Sequence, residues 1–281
     1  VDTAPAVPGR NYEAREAIVA DSAPTVSALL DRLRPRPVDA ALRRRIAEGH
    51  AAVDAERTGS SDRVSPFALL RAIHGQLGPD TVFTTDSGNG TFLAMETLRL
   101  PGPGRFLAPI DYSCMGYAVP AAVGAKLAAP DRPVVALKGD GSFLMTGLEM
   151  LTARQYDVPV AIFVLRDAEL AQISQFQDTA LSRKTASDVH DYHLCRLAGG
   201  FGIECVTLDT DAMIPEVLDR VAASLDAGRP ILVDVAIDYD RKTYFTKGVV
   251  KTNLMRLPWK DRLRFIGRAV SRRVLGAGPA G

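Results

Sequence analysis

Apolar residues recur along this chain in two rhythms. Short β-branched and aliphatic runs begin at Val82, Val134, Val160, Ile203 and Ile231, and each stops abruptly at glycine, polar or charged residues. They are too brief for helices and read as buried strands. Between them, apolar residues return at helical spacing over 66–77, 115–127, 144–156, 192–199 and 212–227. Strands alternating with helices predict an α/β fold: a doubly wound parallel sheet with helices on both faces. No internal repeat or low-complexity tract interrupts the pattern.

The stretch VVALKGDGSFLMTGLEMLTARQYDVPVAIFVLRDAEL, 134–170, holds one strand–helix–strand unit. Its first strand breaks at Gly139, Asp140 and Gly141, and its second at Arg166 and Asp167. A crossover of this kind makes the strands parallel, so both acids come to one edge of the sheet, where open α/β sheets bind ligands. Taken alone, the two acids are equally well read as solvated turn residues. The flanking glycines allow close approach to the backbone, and hard oxygen donors without a soft ligand suit magnesium on a diphosphate. Upstream, TTDSGNGTF (84–92) places Ser87, Gly88, Asn89 and Gly90 in a turn that opens a helix. Such a turn can aim N–H groups at an anion, although an ordinary strand-to-helix turn reads the same way.

These motifs, in this order, resemble those of the thiamine diphosphate (ThDP) enzymes, whose signature is GDG followed one crossover later by an Asn. Here Asp167 stands in the place of that Asn, which alters the charge of the site. The stretch 102–143, GPGRFLAPIDYSCMGYAVPAAVGAKLAAPDRPVVALKGDGSF, resembles the acetolactate synthase-like branch. The resemblance implies that Asp140, the Asp167 side chain and the backbone carbonyl of Glu169 hold magnesium. It implies cofactor binding by Ser87, Gly88, Asn89, Gly90, Ser113, Cys114, Met115, Gly139, Gly141, Ser142, Ala168 and Leu170. Met115 would prop the cofactor in its bent shape, although a Met before a helix is more often core packing.

What the resemblance covers is the C-terminal, diphosphate-binding portion of a family member. The glutamate that activates the cofactor lies on a pyrimidine-binding domain in that family, and no segment here resembles that domain. No catalytic residue is therefore assigned to this chain, and a partner chain is expected to supply the glutamate in an α2β2 or larger assembly. The implied reaction is decarboxylation of a 2-oxo acid such as pyruvate, with ligation of the resulting enamine to a carbonyl acceptor. Decarboxylation without ligation, and a non-catalytic ThDP-binding regulatory subunit, are the alternatives. The amide-rich segment 170–184 is expected to line the substrate side. Flavin binding is left open, because the central domain that carries it in some relatives is nearly absent.

Domain organisation follows from the same patterning. Residues 1–37 have little core of their own and resemble the close of the family's central domain, 38–64 form a linker helix, 65–240 the diphosphate-binding domain, and 241–281 a basic tail. After Pro258, Leu263, Ile266, Val270 and Val274 form an apolar stripe on a basic helix, a pattern that suits an anionic membrane surface or packing on protein. Packing is the expectation, because the tail of relatives folds back toward the active site. Arg166 is expected to offset the charge of Asp167.

Composition narrows the classes. With 281 residues, 47% of them apolar and a net charge of +1, the chain can bury a sizeable core and has no bulk attraction to nucleic acid. No apolar run reaches the length of a membrane span and no signal peptide is visible, so a cytoplasmic protein is expected. Cys114, Cys195 and Cys205 are odd in number and lack metal-ligand spacing, which predicts free thiols. His50, His74, His190 and His193 are expected to be surface or structural.

Overall fold

The computed structural model describes residues 1–57 and 62–275, with the backbone alone for 180, 250, 269 and 272–275. The chain divides into two compact units, Val1–Thr58 and Gly59–Gly281.

In the first unit, a single parallel bridge joins Asp2 to Val19, and two helices follow, α1 (Ser22–Leu30) and α2 (Ala40–Glu56). Each starts where an aspartate accepts an otherwise unpaired first-turn N–H: Asp21 from Ala23 at 2.8 Å, Asp39 from Leu42 at 2.9 Å. Neither helix buries a residue, and Leu42 and Ile46 stay on the surface.

The second unit runs α3 (Pro66–Leu77), β1 (Val82–Thr85), α4 (Asn89–Thr97), β2 (Phe106–Leu107), α5 (Ala118–Ala128), β3 (Val134–Gly139), α6 (Asp140–Thr146) and α7 (Met150–Gln155). It continues with β4 (Ala161–Arg166), α8 (Ala171–Leu181), α9 (Leu194–Gly200), β5 (Glu204–Leu208), α10 (Ile214–Asp226), β6 (Ile231–Ala236), α11 (Tyr244–Arg256) and α12 (Trp259–Leu275). The six strands form one sheet in the order β2-β1-β3-β4-β6-β5, with every pairing parallel.

Period-two alternation sends successive side chains to opposite faces, and both faces are filled. Val135, Leu137, Phe163 and Leu165 pack with Leu69 and Ile73 of α3, Leu93 of α4 and Val217 and Val221 of α10. Val134, Ala136, Ile162 and Val164 pack with Val119 and Ala122 of α5, Met150 and Ala153 of α7 and Leu194 and Ala198 of α9. The sheet is therefore the doubly wound structure with helices on both faces that the pattern predicts.

Several details depart from the sequence reading. The short strand β2 was not anticipated. The helix expected over 144–156 begins earlier, at Asp140, and is interrupted by a 3-10 turn at Gly147–Glu149. Thr146 leaves helical geometry at φ −140° because its hydroxyl is engaged by Lys138 and Gly116. The helix expected from 115 starts at Ala118, after Gly116 at φ +95°. Cys195 and Cys205 form a disulfide that ties α9 to β5, with Cα atoms 5.2 Å apart, and Cys114 is the free thiol. The expectation of three free thiols is thereby corrected; adjacency in the fold, which the spacing does not reveal, brings the pair together.

Both tail helices pack against α8, yet Trp259, Leu263, Ile266 and Val270 remain exposed on α12, so packing does not bury the stripe. The Val274 side chain lies outside the described residues. No helix among the described residues is long and apolar enough to cross a membrane.

Candidate functional site

A pocket opens at the carboxyl ends of β1, β3 and β4. Parallel pairing puts these ends on one edge, and the chain there turns directly into α4, α6 and the loop before α8. Ser87, Gly88, Asn89, Gly90, Met115, Gly139, Asp140, Gly141, Ser142, Asp167, Glu169 and Leu170 all line it. Ser113, Cys114 and Ala168 are not part of the lining. The Ser113 and Ser87 hydroxyls are 2.8 Å apart, the Cys114 carbonyl accepts from the Ser87 N–H at 3.1 Å, and the Ala168 N–H donates to Asp140.

Asp140 follows β3 as the first residue of α6, and its carboxylate accepts from the Gly141 N–H at 2.7 Å and the Ala168 N–H at 2.8 Å. Burial pushes its carboxyl above the ordinary range, partly offset by those amides. Asp167 follows β4 directly. Burial, and after it the charge of Asp140, pushes its carboxyl up to about 7. Two carboxyls raised in this way by burial make a site whose ionised form a cation would stabilise.

Glu169 differs. Although burial raises its carboxyl, hydrogen bonds from Lys184 and Ser174 hold it below the usual range, and Lys184 Nζ lies 2.7 Å from Oε1. Its carboxylate is therefore committed, and among the described residues no three His, Cys, Asp or Glu side chains form a metal cluster. That is compatible with two carboxylates and the Glu169 carbonyl, the ligand set implied by the resemblance. Arg166 pairs with Asp234 at 2.8 Å and Asp191 at 3.4 Å, and its charge acts on Asp140, while Arg63 is a cation that lowers the Asp167 carboxyl.

The residues present fit a diphosphate and a divalent cation. All candidate ligands are hard oxygens. A Cβ built on Gly88 or Gly139 would meet nothing within 4 Å, so the cradle is open at both. The Asn89 Oδ1 is buried in the lining without a hydrogen-bond partner; as an acceptor it would be satisfied by a cation or by a donor group of a ligand. Gly141 serves another purpose, since its Cβ would lie 2.6 Å from Leu170 and 3.0 Å from Val189; the glycine permits packing rather than ligand approach.

Of the amide-rich segment, Leu170, Ala171, Gln172 and Ile173 line this pocket, while Ser174, Gln175, Asp178 and Lys184 line a neighbouring cavity of about 700 Å³ that shares Asp167 and Glu169.

Strain accompanies the site. Ala168 sits at φ +61° and Ser113 at φ +56°, left-handed conformations unfavourable to residues with a Cβ. We expect Ala168→Gly to raise stability by about 0.5–1 kcal/mol, the relieved strain less the added freedom of the unfolded chain. Urea denaturation measures it, and a lower midpoint would show the strain to be compensated by contacts of the Ala168 methyl.

Sequence reasoning missed four contributors. Asp86, in the pocket lining, forms a buried ion pair with Lys138 at 3.2 Å, Tyr192 Oη donates to the Asp140 carbonyl at 3.0 Å, and Tyr239 joins the lining. The one visible signal was Lys138, a charge inside an apolar strand.

Comparison with known proteins gives matches over this region. The family model for "Thiamine pyrophosphate enzyme, C-terminal TPP binding domain" matches residues 86–235. Acetolactate synthase isozyme 1 large subunit of Escherichia coli (strain K12) is 29% identical over 189 residues, 65% of this chain and 32% of that protein. Pyruvate oxidase of Lactiplantibacillus plantarum is 26% identical over 245 residues, 86% of this chain and 40% of that protein. The solved structure of a Rhodococcus jostii RHA1 thiamine diphosphate-dependent 4-hydroxybenzoylformate decarboxylase superposes with a TM-score of 0.66 at 23% identity, covering 83% of this chain and 42% of that one; it shares the fold. The chain spans about a third of the length of the curated acetolactate synthases it matches.

Proposed function

The chain belongs to the thiamine pyrophosphate enzymes, as their C-terminal TPP-binding domain, and from that premise we propose that it is the diphosphate-binding part of a ThDP- and magnesium-dependent enzyme acting on a 2-oxo acid such as pyruvate. The observation that carries the reading is the pair Asp140 and Asp167, brought to one pocket opposite the glycine-containing start of α4.

Asp140, Asp167 and the Glu169 carbonyl would hold magnesium, and the backbone amides at the start of α4 would receive the diphosphate. Bound ThDP would supply the electron sink for decarboxylation. The protein's own groups bind and orient. Gly141 and Ala168 fix the Asp140 carboxylate, Tyr192 anchors its backbone, and Met115 forms a wall of the pocket. The relatives named acetolactate synthase and pyruvate oxidase support pyruvate as donor, and the former supports ligation to a carbonyl acceptor.

A pyrimidine-domain chain is part of the proposal, in an α2β2 or larger assembly. Its support is the set of exposed apolar side chains beside the site: Ile110, the 91%-exposed Tyr112, and Leu144, Met145 and Leu148 after Asp140. The test is to incubate this chain with ThDP, magnesium and pyruvate, with and without a pyrimidine-domain chain co-expressed with it, and to identify products. We expect a ligated α-hydroxy ketone only with both chains. Free aldehyde instead would give simple decarboxylation, and full turnover from a homogeneous preparation of this chain would remove the partner.

A further inference from the structure

The Asp86–Lys138 pair lies at the pocket, Asp86 in its lining and Lys138 outside it, with its side chains almost wholly excluded from water. A buried ion pair is a weak source of stability, since desolvation offsets the attraction and apolar replacements of similar volume are often neutral or better. What such a pair supplies and an apolar pair does not is direction. Here the directions converge on one residue.

The Ser142 hydroxyl donates to Asp86 and accepts from the Gly116 N–H at 3.1 Å. Lys138 Nζ donates to Thr146 Oγ1 at 2.7 Å, and that hydroxyl donates onward to the Gly116 carbonyl at 2.8 Å. Gly116 is thus gripped at both polar atoms, by two arms that end on opposite members of the ion pair. Asp86 also accepts from the Ala118 N–H at 2.7 Å, which fixes the start of α5. Gly116 is at φ +95° and presses so closely on Thr146 that a Cβ would lie 2.8 Å from the methyl. The residue before it is Met115, a wall of the pocket.

We infer that Asp86 and Lys138 are positioning residues: through Ser142, Thr146 and the two peptide groups that flank Gly116 they set the place of Met115, and with it the grip on the part of the ligand beyond the diphosphate. The inference rests on the reading of the pocket as the ThDP site. Lys138 and Thr146 lie outside the pocket lining, so an effect through them needs no contact with the ligand, whereas Asp86 is itself part of the lining. The diphosphate end is held by other groups, Asp140, Asp167 and the start of α4, so the two ends of the ligand are separable.

The experiment uses that separation. Magnesium-dependent binding of ThDP and of inorganic pyrophosphate is measured by calorimetry on the full chain in its native assembly, for wild type, Thr146→Val and the double variant Lys138→Met/Asp86→Asn. Thr146→Val keeps the ion pair and cuts one arm. The double variant neutralises both charges together, so no lone buried charge threatens folding. We expect pyrophosphate affinity within about threefold of wild type in both, and ThDP affinity lowered tenfold or more, so that the ratio of the two affinities falls. A purely structural role would lower both affinities in parallel and leave the ratio unchanged, and that result overturns the inference. Unchanged ThDP affinity in both variants overturns it as well. Wild-type protein that binds neither probe would sink the cofactor reading itself, a failure distinct from the other two.

Discussion

Replacing Asp140 by alanine lowers magnesium-dependent ThDP affinity by at least a hundredfold, about 3 kcal/mol, while Asp167→Asn retains binding. The difference lies in how the two acids are held. The Asp140 carboxylate is fixed by two amides at 2.7 and 2.8 Å before any ligand arrives, so alanine removes an anionic oxygen and leaves both N–H groups unpaired. Asparagine at 167 keeps a neutral oxygen at the same place and removes a charge that would repel a diphosphate. Calorimetric titration of ThDP at saturating magnesium decides the matter. Unchanged affinity in Asp140→Ala would remove the metal assignment.

Magnesium should stabilise the chain far more at pH 8 than at pH 6. The Asp167 carboxyl titrates at about 7 in the folded chain against 3.8 for the ordinary group. Between those values the metal-free folded state keeps a proton that the unfolded state has released. The contribution of this group is therefore fully present below 3.8 and is lost as pH rises through about 7. Asp140 shifts in the same direction, so metal-free stability declines across the window. Magnesium requires the ionised pair and reverses the sign, since its affinity grows as the protons leave. Thermal denaturation at the two pH values, with and without magnesium, should show a difference in metal-induced shift of about 5 °C, the equivalent of roughly 2 kcal/mol. Equal shifts at both pH values would mean that Asp167 takes no part in holding the metal.

Much of this architecture was legible because it is local. The runs at Val134 and Val160 are strands by composition, and acids placed directly after them must share an edge once the strands are parallel. What escaped depends on contacts between distant residues. Asp86 and Lys138 come together only when β1 and β3 pair, and the disulfide forms only when α9 lies beside β5. The break at Thr146 escaped for the same reason, since periodicity continues through it while its hydroxyl is pulled toward Gly116. A two-residue strand such as β2 carries too little pattern to be read at all. The exposed stripe on α12 was visible as a pattern, but the pattern does not say which surface meets it.

The all-parallel sheet has a kinetic consequence. No strand can pair with a neighbour through a tight hairpin, so each pairing must close a long loop first, and folding of the second unit is expected to be slow. The pocket draws on residues from Asp86 to Tyr239, hence on nearly all of these closures. Its ligands can recognise only a chain whose sheet is already assembled. A diphosphate ligand would thus act after the rate-limiting barrier, leaving the refolding rate unchanged and prolonging the lifetime of the native state by slowing its unfolding.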